Sequence, residues 1–134
     1  MKADEILLRP ARVLPQHHRE HYFKHGYTSV ESFVPNDVLQ NLIEVKNEFV
    51  DASRGETKSG SVYDLGPAHS PEKPQLRRLK RPDDQHDVFW NFAKGLLADI
   101  ATDLLGPDVA FYHSKLNFKW AGGSDAVKWH QDAQ

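Results

Sequence analysis

At 134 residues the chain fits one domain that buries somewhat over 60% of its unfolded surface, roughly enough for a single core and too little for two. A formal charge of -2 and a pI near 6.4 exclude a general pull toward nucleic acid or an anionic membrane. The absence of cysteine excludes disulfides, zinc ribbons, iron–sulfur clusters and a thiol nucleophile, so any metal falls to His, Asp and Glu.

The first segment, MKADEILLRP, has only Ile6, Leu7 and Leu8 as an apolar run. That is too short for a membrane span and has the wrong flanks for a signal peptide, so the chain reads as soluble and cytoplasmic, with no membrane partner. Residues 15 to 25, PQHHREHYFKH, run from a proline to Gly26 and predict a short helix with a glycine stop. Tyr27 to Val34, YTSVESFV, is rich in β-branched and aromatic residues and predicts a strand ended by Pro35. Asn36 is a candidate N-cap for a second helix, whose Val38, Leu42, Val45 and Phe49 recur at helical spacing to about Ser53.

From Arg54 to Pro74 glycine, serine, proline and charge predominate, which predicts a long loop, either a lid or a surface excursion. The basic run Leu76-Arg77-Arg78-Leu79-Lys80-Arg81 could contact phosphate or a carboxylate, but Asp83, Asp84 and Asp87 follow and cancel much of its field, so a solvated connector is favoured over a binding patch. Asp84 to Leu105 carries Phe89, Ala93, Leu96, Leu97, Ile100 and Leu104 on one helical face, and Gly106-Pro107 stops it. Gly95 inside that helix costs about 1 kcal/mol relative to alanine. The texture then changes: a strand over Val109 to Trp120, a turn at Ala121 to Ser124, and a strand from Val127 to Ala133 form a closing hairpin.

Two motifs carry metal chemistry. His130-Gln131-Asp132 places an imidazole and a carboxylate on one face of a strand, the spacing that non-haem Fe(II) oxygenases combine with a distant second histidine. With eight histidines in the chain, about 0.7 such His-x-Asp matches arise by chance, so the triplet needs its context. His17-His18-Arg19-Glu20-His21 is a literal HxxEH, and His17, His21 and His25 share a helical face; a zinc site there competes with the bland reading of a solvated face, which is favoured. His69, His86 and His113 are isolated and read as surface or structural histidines. No P-loop, dinucleotide fingerprint or G-x-S-x-G elbow occurs.

Taken in order, HYFKHGYTSVESFVPNDVLQNLIEVKNEF, RRLKRPDDQHDVFWNFAKGLLADIATDLLGPDVAFYHSKLNFKW, a glycine turn and WHQD resemble the phytanoyl-CoA dioxygenase family from about Arg19 to Gln134. The resemblance implies an α+β chain in which N-terminal helices (about 15–105) pack on the first strands (about 109–134) of a double-stranded β-helix, or jelly roll, incomplete in these 134 residues and counted as a single domain. It implies an Fe(II)- and 2-oxoglutarate-dependent dioxygenase that takes O2 and a small organic substrate, with His130 and Asp132 as iron ligands. Lys115 and Asn117 resemble positions lining the 2-oxoglutarate or substrate pocket, and the role of Gln131 stays open.

The family pattern continues to a distal histidine ligand and an arginine for the far carboxylate of 2-oxoglutarate, neither of which these residues supply. The expectation is therefore the N-terminal part of an oxygenase, inactive by itself and prone to self-association through its unclosed sheet. The alternative is a complete, non-catalytic binding or assembly module. Neither composition nor pattern sets an oligomeric state.

Overall fold

A computed structural model describes residues 1–121 and 128–130. In chain order its elements are α1 (Ala3–Leu7), α2 (Gln16–His25), α3 (Asn36–Ala52) with a 3₁₀ turn after it (Ser53–Gly55), β1 (Tyr63–Leu65), β2 (Leu76–Lys80), α4 (Pro82–Gln85), α5 (Asp87–Phe92), a π-helical turn (Ala93–Leu97), α6 (Ala98–Leu105) and β3 (Lys115–Asn117). The three strands form one antiparallel sheet in the order β1-β2-β3, so the class is α+β. No helix among the described residues is long and apolar enough to cross a membrane.

Helix α2 stops where the sequence places its stop. Gly26 takes φ 81°, a left-handed conformation that costs glycine little, and its N–H donates to Tyr22 O at 2.8 Å. The expected strand over Tyr27–Val34 does not form. Tyr27 O accepts from His21 Nδ1 at 2.8 Å and Thr28 Oγ1 lies 3.2 Å from His18 Nδ1, so this segment is tied back to α2 instead of pairing with a neighbour. Ser32 at φ 51° then breaks any extended run. Helix α3 forms as expected, with Pro35 rather than Asn36 at the N-cap position and Leu39 N–H donating to Pro35 O at 2.9 Å.

The region expected to be loop and connector supplies two of the three strands. In β2, Tyr63 pairs with Leu79 and Asp64 with Arg78, but Leu65 pairs with Leu76, so Arg77 is an extra residue in a bulge. The bulge lets Leu76 and Leu79, three apart, both be fully buried. Strict alternation would have put them on opposite faces, and this hid the strand from a period-two reading. On the apolar side Leu116, registered opposite Leu79, meets Leu42 and Ile43 of α3 and Phe89 and Phe92 of α5. Phe49 links the layers, its ring 6.4 Å from Tyr63 and 6.3 Å from Phe89.

The segment from Arg54 to Pro74 is fastened to the end of α3. Arg54 Nη1 donates to Pro71 O at 2.7 Å. His69 accepts from Gln75 N–H through Nδ1 at 2.9 Å and donates from Nε2 to Ser53 O at 3.1 Å, which requires one neutral tautomer. His69→Ala removes both bonds and is expected to cost about 1–3 kcal/mol, read as a lower denaturant midpoint together with faster proteolysis between residues 54 and 74.

The long helix expected from Asp84 to Leu105 is divided. His86 adopts extended backbone and its Nδ1 accepts from Val88 N–H at 3.1 Å, so it caps α5 and separates it from α4. Gly95 sits inside the π-helical turn, where wider winding offsets the two halves of the apolar stripe.

A second core joins α1, α2 and α6 around Ile6 and Leu14, and its centre is polar. Asp103 of α6 is 2% exposed and accepts from the backbone N–H groups of Arg12 (2.7 Å), Val13 (2.9 Å) and Leu14 (2.8 Å). Arg19 of α2, also 2% exposed, donates from Nε to Asp103 O and from Nη1 to Arg9 O, both at 3.1 Å, and from Nη2 to Ile6 O. One buried cation and one buried anion thus bind backbone groups of Ile6, Arg9, Arg12, Val13 and Leu14, all but the first beyond the end of α1. Burial by itself raises the Asp103 carboxyl, but the donors from Arg12, Leu14 and Val13 and the charge of Arg19 outweigh it and hold the group below its ordinary 3.8.

Candidate functional site

The register of the sheet decides what its second face carries. With Leu79 and Leu116 directed at the helices, their strand neighbours point the other way: Arg78 opposite Asn117, and Lys80 opposite Lys115. Lys115 and Asn117, the two residues expected to line a pocket, therefore do share a face, and in β3 both are exposed. Asn117 Oδ1 accepts from Arg78 Nε at 3.1 Å. The bond orients the guanidinium across the sheet. Asp64, registered on the far side of Arg78, accepts from Ser59 Oγ at 3.4 Å. Lys80 Nζ donates to Gly60 O at 2.8 Å.

Arg78 and Lys80 belong to this polar face and not to the expected solvated connector. The signal that would have found them is the leucine pair flanking Arg77-Arg78, which marks a bulged strand and so gives the basic residues a defined side. Strand β3 is shorter than the run expected from Val109 to Trp120, because only Lys115–Asn117 meets β2 as strand. Its ends are held by Arg81 N–H donating to Ser114 O at 3.3 Å and Phe118 N–H donating to Arg77 O at 3.0 Å. Upstream, Phe111 leaves the sheet and packs edge-on against Trp90 at 5.4 Å. Downstream, Trp120 Nε1 donates to Leu76 O at 2.6 Å and carries the chain across the end of β2.

Of the two expected iron ligands, His130 is described and exposed. Its Nδ1 donates to Lys128 O at 2.7 Å, which puts the proton on Nδ1 and the ring lone pair on Nε2. An imidazole nitrogen of that tautomer, with the carboxylate two positions further along the sequence, is a donor set suited to Fe(II). Asp132, Gln131, most of the expected glycine turn and most of the expected last strand lie outside the described residues, and residues 128–130 are not in a strand.

The competing HxxEH histidines are drawn in different directions. The His17 ring lies 4.2 Å from that of His18, and the His21 ring 4.5 Å from that of His25. Glu20 accepts from Gln16 Nε2 at 3.1 Å, and Arg19 of the same motif is the buried clamp on Asp103. Among the described residues no group of three metal-ligating side chains comes together. The isolated histidines are structural at two positions, as expected: His69 bridges Ser53 and Gln75, and His86 caps α5. His113 lies edge-on to Tyr112, ring centroids 4.7 Å apart.

The sequence model of the phytanoyl-CoA dioxygenase family matches residues 22–134. A probable alpha-ketoglutarate-dependent hypophosphite dioxygenase of Stutzerimonas stutzeri is 26% identical over 112 residues, covering 83% of this chain and 39% of that protein. The chain thus spans well under half the length of this curated relative. No solved structure matches it significantly.

Proposed function

Because the chain belongs to the phytanoyl-CoA dioxygenase family, we propose that the whole protein is an Fe(II)- and 2-oxoglutarate-dependent dioxygenase that hydroxylates a small organic substrate. The observation that carries this reading is the family match, which extends through His130 and Asp132. It is supported by the bond from His130 to Lys128 O, which sets the tautomer a metal ligand needs. His130 and Asp132 would hold the iron, and a further ligand would come from beyond the stretch shared with the relative. When bound, the metal supplies the activation of O2 that couples decarboxylation of 2-oxoglutarate, to succinate and CO2, to insertion of one oxygen atom into a substrate C–H bond.

The tasks of this chain's own residues follow from the sheet. We read β1, β2 and β3 as the opening strands of a jelly roll whose outer face is sealed by α3 and α5 and whose inner face carries Arg78, Lys80, Lys115 and Asn117. Asn117, holding Arg78, would position a hydrogen-bonding fork toward the pocket lined by this face. The helix-side packing of Leu79 and Leu116 keeps that face fixed while ligands come and go.

Two outcomes test the reading. Full-length protein supplied with Fe(II) and 2-oxoglutarate should release succinate, whereas the 134-residue chain should bind iron weakly at best and release none, since His130 and Asp132 alone leave the ion loosely held. Succinate release from the 134-residue chain at the full-length rate would show that the ligand set is complete without further strands. We also expect the isolated chain to self-associate, because Trp90, Leu97, Phe111, Trp120 and Trp129 are exposed. A monodisperse monomer by light scattering would contradict that.

A further inference from the structure

Helix α2 carries His17, His18, His21 and His25 within its ten residues, and the proposed oxygenase chemistry uses none of them. Packing sorts them into pairs. The His17 ring is drawn to His18, 4.2 Å away, and His18 Nδ1 lies 3.2 Å from Thr28 Oγ1. His21 and His25 stand one turn apart on a shared helical face, their rings 4.5 Å apart between centroids and inclined by 37°. The associated pair is thus one turn further along than the HxxEH spelling implies.

Tyr27 fixes the proton of the first member. A carbonyl oxygen only accepts, so the 2.8 Å contact of His21 Nδ1 with Tyr27 O makes Nδ1 the donor and, in the neutral ring, puts the lone pair on Nε2. A backbone carbonyl on the far ring nitrogen is what holds a metal-ligating imidazole in its plane and raises its basicity. Gly26, left-handed at φ 81°, turns the chain so that this carbonyl reaches back, and the Tyr27 ring closes edge-on over His21 at 4.9 Å. His25 is exposed and ends the helix, where the unpaired carbonyls favour a cation. The neighbouring Lys24 is also exposed, and its flexible stem carries its charge into solvent.

An imidazole nitrogen sits about 2.1 Å from a bound zinc ion, so one ion bridges two such nitrogens up to about 4 Å apart, a separation within reach of rings at this spacing. No third metal-ligating side chain joins them among the described residues, which leaves the other positions to water and the ion exchangeable. Neutral imidazole suits zinc and copper, and affinity rises from Fe(II) toward Cu(II). We propose that His21 and His25 form a second metal site, a two-imidazole clamp that takes Cu(II) ahead of Zn(II) and Fe(II) least, built from other residues than the iron site and independent of the oxygenase reading. An ion there pins the last turn of α2 to the turn before it. The amide that reports this is Gly26 N–H, which donates to Tyr22 O at 2.8 Å.

The test is a calorimetric titration with Zn(II), then Cu(II), of metal-free full-length protein carrying His130→Ala, which disables the proposed iron site. Zn(II) should bind, Cu(II) should bind more tightly, and exchange of the Gly26 amide should slow on Zn(II) addition. Adding His25→Ala should weaken Zn(II) at least about tenfold, since even the outer partners of a ligand are worth that much, and should abolish the slowing at Gly26. His25 is exposed, so this change leaves the core intact. Adding His17→Ala instead should alter Zn(II) affinity less than about twofold. Absence of Zn(II) uptake, or uptake that survives His25→Ala unchanged, would overturn the proposal. Loss of uptake in His17→Ala would overturn it too, by moving the site to the HxxEH pair.

Discussion

Asp103→Ala is expected to lower stability by about 3–5 kcal/mol, the cost of removing one member of a buried charged network. Three backbone N–H groups, of Arg12, Val13 and Leu14, would lose their acceptor, and the buried Arg19 guanidinium would keep its charge without the nearby carboxylate. Asp103→Asn keeps one carbonyl acceptor of similar shape and should cost less, and the difference between the two variants reports the share due to charge. Urea unfolding of both against wild type measures it. Hydrogen exchange at Arg12, Val13 and Leu14 should accelerate in the alanine variant before the rest of the molecule changes.

The same carboxylate predicts a pH dependence. Its folded-state pKa is depressed below the ordinary 3.8, so the unfolded chain binds the proton more readily than the folded one. The stabilisation is therefore fully present above the ordinary value and is lost as pH falls from there through the depressed value. Wild type should lose stability through that acid window, and the part of the loss that disappears in Asp103→Asn belongs to this group. Equal acid sensitivity of the two proteins would show that Asp103 titrates as in the unfolded chain.

His130→Ala, tested in full-length protein, should abolish 2-oxoglutarate-dependent succinate release, a fall of at least about 10²-fold, because a ligand of the iron is lost rather than merely misplaced. Fe(II) affinity should drop in parallel. Lys128 presents its carbonyl to Nδ1, so ligation is separable from this hydrogen bond: His130→Gln retains a polar side chain able to donate but lacks the imidazole nitrogen, and it should be as inactive as alanine if ligation is the role. The counter-variant is His17→Ala on α2, which should leave iron binding and turnover unchanged. Loss of metal uptake in His17→Ala with retention in His130→Ala would transfer the metal site to the helix and refute the oxygenase assignment.

What was legible in the sequence followed local rules. Helices α2 and α3 and the stop of α6 at Gly106 are written in glycine conformation, proline placement and a 3.6-residue apolar repeat, all of which act within a few residues. The ordered match of segments pointed to the family before any coordinate, because a family pattern is itself a sequence property. Lys115 and Asn117 fell on one face as period-two alternation requires. Tertiary structure decided the rest. The bulge at Arg77 turned a basic connector into the central strand, and pairing with β1 and β3 is a non-local event that a run reading LRRLK cannot announce. Tyr27–Val34 has strand-forming residues but no neighbouring strand, and hydrogen bonds with His18 and His21 claim it first. Arg19, a member of an apparent metal motif, and Asp103, one more acid on an amphipathic helix, became a buried pair only when α2, α6 and the N-terminal segment met. Spacing along a chain fixes which side chains share a face, whereas packing between distant segments fixes what each face meets.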